Sequence, residues 1–181
     1  MTPDREPDLA PEFAKQLGTQ DYRGKPRPEG VQLVELKRFL EDGGEFQELA
    51  RLGPDATLQG LPGFVVKQVN YSVMQPGTIK AWHLHKHQDD VWFVPPQGRL
   101  LVGLLDARAG KDGATTRLVL GDGRAQLLLI PRGVAHGVAN LTAEPQPMLY
   151  FVNQHFEAAK PDEHRLPWDL LGKDFWQLQP G

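Results

Sequence analysis

Nineteen glycines and 16 prolines cut this 181-residue chain into short pieces, and that punctuation constrains the fold more than any other feature. Both residue types end helices and mark turns, so the pattern favours many brief strands over a few long helices. Apolar-rich stretches recur from Val31 onward. Residues 31–36 read as a strand or one helical turn, and strands are expected over 64–73, 78–87, 91–94, 99–106, 116–120, 125–130 and 148–154. Between them lie Gln-Pro-Gly, Pro-Pro-Gln-Gly, Gly-Lys-Asp-Gly, Gly-Asp-Gly and Pro-Arg-Gly turn signals. That spacing predicts an all-β, double-sheet sandwich or barrel. Residues 1–30 are polar, carry five of the prolines and read as an N-terminal arm with a short helix around 11–17. Residues 31–181 read as a single domain, within the usual size range. Its tail holds Trp168 and Trp176, and residues 168–171 are expected to start a short helix that packs back on the barrel.

Composition excludes several classes. Lys plus Arg number 20 against 23 Asp plus Glu, a formal charge of −3; with no basic block, this argues against a nucleic-acid surface. No apolar run approaches the ~20 residues of a membrane helix, and the N-terminus lacks the apolar core of a secretory signal. The absence of cysteine removes disulfides, thiolate metal sites and Cys nucleophiles. The expected compartment is the cytoplasm.

Chemistry concentrates in Trp82-His83-Leu84-His85-Lys86-His87-Gln88-Asp89-Asp90. On a strand, His83, His85 and His87 share one face with Ala81 and Ile79, opposite Trp82 and Leu84. Such imidazoles can bind a cation together with a nearby carboxylate and a third His, or line a polar pocket and move protons. In 64–73, Gln68, Asn70 and Ser72 alternate with Val69, Tyr71 and Val73. This reads equally as the lining of a polar cavity or as a half-exposed edge strand.

A second segment, Pro131-Arg132-Gly133-Val134-Ala135-His136-Gly137-Val138-Ala139-Asn140, pairs with the first. Together they resemble the two motifs of the cupin superfamily, with Asp89 or Asp90 in place of the usual Glu. A narrower match includes Gln68-x-Asn70-x-Ser72, Gly44-x-Phe46-x-Glu48, Ile130-Pro131-x-Gly133-x-Ala135-His136-Gly137 and Trp168-Asp169. With these, the chain resembles the dTDP-4-dehydrorhamnose 3,5-epimerase family from about Val31 to Asp169. The resemblance implies a cupin-type jelly-roll barrel, a homodimer that exchanges N-terminal strands, and a sugar or sugar nucleotide inside the barrel. It also implies His83 as the base, Asp169 as its orienting carboxylate and Tyr150 as the acid. Gln68, Asn70, Lys80, His85, His136 and Glu48 are implied as substrate contacts.

Departures from that family accompany the match. Its arginine three residues before the base is Lys80, which strict alternation points away from His83 unless the strand is bulged. Its arginine before the Gly-x-Phe-x-Glu segment is Gly43. The lysine that steadies the enolate is replaced around Asp89 or Asp90, and its glutamine is His85. Three readings follow. The favoured one is a keto-sugar epimerase that needs no cofactor. The second is a cupin dependent on a divalent transition metal, with ligands drawn from His83, His85, Asp89, Asp90 and His136. The third is a sugar-binding cupin without turnover. The first two compete for His83, which is either a free base or a ligand.

Overall fold

Every turn signal noted above lies at a strand boundary in the computed structural model, which describes residues 7–21 and 26–179. The strands are β1 (Gln32–Glu35), β2 (Arg38–Glu41), β3 (Gly44–Gln47), β4 (Gln68–Met74), β5 (Ile79–Leu84) and β6 (Asp90–Phe93). They continue with β7 (Arg99–Asp106), β8 (Thr115–Gly121), β9 (Gln126–Ile130), β10 (Val134–Ala139), β11 (Gln146–Val152) and β12 (His164–Arg165). Two five-stranded sheets result, in the orders β1-β9-β6-β11-β4 and β12-β5-β10-β7-β8, with all pairings antiparallel. This is the all-β, double-sheet jelly roll that the sequence implied. Residues 31–36 resolve as a strand, and β2 and β3 form a separate hairpin that the sequence reading passed over.

Alternation builds the core. Met74, Trp92, Leu100, Val102, Leu104, Leu128, Val138 and Met148 meet between the sheets. The outer face of the first sheet is covered by Leu58, Leu61 and Phe64 packed on Val91, Phe93, Leu127 and Phe151. On the outer face of the second, Trp82 lies under Trp176 and Phe175, with ring centroids 4.9 and 5.1 Å away. That packing is possible because two glycines face each other across β7 and β10. A Cβ on Gly103 would meet Phe175 and Trp176 at 2.6 Å, and one on Gly137 would meet Ala81 at 2.5 Å, both closer than carbon atoms pack.

The tail therefore docks as expected, through a 3-10 turn at Lys173–Trp176 and not a helix begun at 168–171, which is a plain turn. The expected arm lies partly outside the described residues. Within them, Pro11–Ala14 makes one exposed helical turn. Farther along, the Thr116 hydroxyl and the Arg108 guanidinium donate to the carbonyls of Pro26 and Glu29 at 2.6 and 2.7 Å.

Candidate active site

The two histidine segments become neighbours because β5 and β10 pair with His83 opposite His136. Their rings stack, with centroids 6.2 Å apart and planes 13° from parallel. The register then shifts: Val138 opposes Lys80, so β5 carries one residue more than β10 over this stretch. Such a bulge reverses alternation. Ala81 and Ile79, expected on the histidine face, join Trp82 on the outer face. Lys80 turns inward instead and lines the same cavity as His83. The condition set by the sequence for Lys80 to reach the site is met.

The cavity measures about 680 Å³, within the range of small-molecule sites. Gln68, Asn70 and Ser72 line it from β4, while Val69, Tyr71 and Val73 face outward and are exposed. The two readings of that strand were both right, since β4 is an edge strand with a polar inner face. Cross-strand register places Tyr150 between Asn70 and Trp92, and Val152 between Gln68 and Asp90. Tyr150 thus lies on the sheet facing the one that carries His83. Burial, with the Asp90 and Glu163 charges, raises its pKa.

The carboxylate beside His83 is not Asp169. Asp169 is exposed in the 168–171 turn, where its carbonyl accepts from the Gly172 N–H at 2.8 Å. Glu163 Oε1 instead lies 3.2 Å from His83 Nδ1 and also accepts from Arg165 at 2.7 Å. β12 carries this group inward by pairing with β5, Arg165 opposite His83. Burial and the Arg165 charge lower the His83 pKa below its usual 6.5, and Glu163 opposes them.

A second cluster lies beside it. His85 and His136, with ring centroids 5.2 Å apart, both approach Asp90, and all three are buried. Asp90 accepts from Gln88 Nε2 at 2.8 Å and from Trp92 Nε1 at 3.1 Å. Full burial, only partly offset by Asp90, lowers the His136 pKa to about 4.

Asp89 is withdrawn from this group. Its carboxylate accepts from the Arg132 backbone and guanidinium and from Asn153. Burial alone would raise its pKa, but these donors hold it below the usual carboxylate range. His87, expected on the strand, lies past the end of β5 and is exposed. Glu48 is exposed and paired with Arg51, outside the cavity. Asp162, which the sequence reading missed, accepts from the backbone N–H groups of Lys86, His87 and Gln88. It thereby pins the histidine turn to the tail.

The family model for dTDP-4-dehydrorhamnose 3,5-epimerase matches residues 27–171. The chain belongs to the dTDP-4-dehydrorhamnose 3,5-epimerase family. It is 39% identical over 143 residues to the spore coat polysaccharide biosynthesis protein SpsL of Bacillus subtilis (strain 168), an alignment covering 78% of this chain and 90% of that protein. Among solved structures, a dTDP sugar isomerase from Desulfovibrio desulfuricans G20 superposes with a TM-score of 0.66 at 26% identity, covering 83% of this chain and 90% of the other. A dTDP-4-dehydrorhamnose 3,5-epimerase from Sulfolobus tokodaii gives 0.63 at 26%, covering 78% and 80%. Membership makes this chain a sugar-nucleotide epimerase-type enzyme, and the residues at its cavity can be read against that chemistry.

Proposed function

We propose that the protein epimerises a 4-keto-6-deoxy sugar nucleotide by removing and returning a proton at a carbon α to the ketone. The observation that carries this reading is His83 on one wall, backed by the Glu163 carboxylate 3.2 Å from Nδ1, with Tyr150 on the facing wall of the same cavity. A carboxylate at Nδ1 favours the tautomer with its proton there, which leaves the Nε2 lone pair to act as base and supports the imidazolium that forms. An α-proton is too weakly acidic for imidazole unless the developing enolate is stabilised. Lys80, turned inward by the bulge, brings an ammonium to the same wall. Tyr150 then protonates from the opposite side, and delivery to the face opposite removal inverts the centre. Its raised pKa keeps the phenol protonated and ready to donate.

The assembly we propose is a homodimer. Val69, Tyr71 and Val73 form an exposed apolar strip on the outer face of edge strand β4, at 52%, 67% and 40% exposure. Strips of this kind on a sheet edge favour pairing with another chain.

The test is solvent exchange. Incubated in D₂O with a dTDP-4-keto-6-deoxy sugar, the protein is expected to place deuterium at carbon next to the ketone, and His83→Ala to abolish it. A folded wild-type protein that exchanges no such position would overturn the reading.

A further inference from the structure

We propose that Asp90 and His136 select the sugar by accepting hydrogen bonds from two neighbouring ring hydroxyls of the substrate. The assignment rests on the epimerase reading. The family resemblance implied His136 as a substrate contact; the geometry adds Asp90 and the kind of group that both of them touch. Both side chains line the cavity and are buried, at 3% exposure each. His136 Nδ1–H donates to the Val134 carbonyl at 3.0 Å. A carbonyl can only accept, so Nδ1 carries the proton. With its pKa lowered to about 4, the ring keeps a lone pair on Nε2 at neutral pH.

Donors run short around these acceptors. A carboxylate accepts up to about four hydrogen bonds. Asp90 receives one on each oxygen, from Gln88 Nε2 at 2.8 Å and Trp92 Nε1 at 3.1 Å. Gln88 Nε2 also reaches His85 Nε2, at 3.5 Å. Among the described residues, no donor serves His136 Nε2, which lies 3.8 Å from Asp90 Oδ2. Buried acceptors side by side are costly unless a donor reaches them. A ligand that fills this part of the cavity must therefore bring donors to it.

A phosphate or a ketone oxygen brings only further acceptors and does not fit here. Lys80, which lines the same cavity, is the group that suits them. A hydroxyl has one hydrogen to give, so two acceptors call for two hydroxyls. Their 3.8 Å spacing calls for hydroxyls on adjacent carbons. In a 4-keto-6-deoxyhexose joined to its nucleotide through carbon 1, carbons 2 and 3 carry that pair. Asp90 and His136 are thus specificity-determining residues for a 2,3-diol.

The experiment measures, by calorimetry, binding of dTDP-4-keto-6-deoxyglucose and of its 2-deoxy-2-fluoro and 3-deoxy-3-fluoro analogues to His83→Ala protein, in which turnover is blocked. Fluorine fills the place of the hydroxyl but has no hydrogen to donate. Each analogue is expected to bind at least about tenfold more weakly than the parent sugar. In the same background, Asp90→Asn should shrink one of the two preferences, and His136→Phe, which keeps a ring without an acceptor, the other. Analogues that bind as tightly as the parent would overturn the assignment, as would preferences that survive both variants. If neither variant folds, the analogue comparison decides alone. Solvent exchange by the wild type tests the epimerase reading separately, so either can fail while the other stands; a parent sugar that does not bind overturns both.

Discussion

His83 and His136 are adjacent across two strands, yet burial sorts them into different roles. His136 lines the same cavity but is almost wholly buried, and burial lowers its pKa to about 4. His83 keeps one side toward the cavity and the other toward Glu163, whose charge raises a pKa that burial and Arg165 depress. Removing that charge must lower the His83 pKa further. Glu163→Gln is therefore expected to shift the acid limb of the kcat/KM profile to lower pH and to reduce kcat by roughly 10²-fold. A loss of rate with an unmoved limb would assign Glu163 a merely structural part. Asp169→Asn should leave the limb in place. The imidazoles were legible in the sequence because two short motifs carry them. The choice between Asp89 and Asp90 was not, because it depends on Arg132, 43 positions away, claiming the former. Glu163 was invisible for a related reason: it sits in a short charged stretch with no periodicity, and only the pairing of β12 with β5 gives it a role.

At the scale of elements, the bulge in β5 is what puts Lys80 and His83 on one wall. Gly137 and Gly103 keep the opposite face open for Trp82 and Trp176. Gly137→Ala would drive a methyl into Ala81, and we expect destabilisation of about 1–3 kcal/mol by denaturant unfolding. Trp176→Ala, which empties the other side of the contact, should cost about 3–5 kcal/mol. If the strand relaxes on that side, activity should fall more than stability alone accounts for, measured well below the unfolding midpoint. Alternation revealed most strands but could not reveal a bulge, since one added residue leaves the composition of a strand unchanged. The β2–β3 hairpin was legible and passed over: Asp42-Gly43 between Arg38–Glu41 and Gly44–Gln47 is a two-residue turn signal of the strongest kind.

For the whole molecule, the buried imidazole of His136 couples folding to acidity. An unfolded chain protonates its histidines near 6.5, whereas folded His136 resists until about 4. The unfolded state thus binds more protons between those values, and stability falls as pH drops through that window. The His136 contribution is on the order of 3 kcal/mol between pH 6.5 and 4, read from urea unfolding. His136→Asn should flatten that part of the curve. Assembly is tested at the same scale. Tyr71→Glu with Val73→Lys, on the outer face of β4, is expected to shift a sedimenting dimer to monomer. The double-sheet fold was readable from turn spacing alone, because it follows from where the chain must reverse.

The tail grips β5 from both sides, Glu163 and β12 at the cavity and Trp176 at the back. Half of the proposed base dyad is thus detachable from the scaffold that houses the other half. Grafting a relative's closing segment onto this jelly roll would retune how strongly the imidazole holds its proton while every strand of the vessel stayed the same.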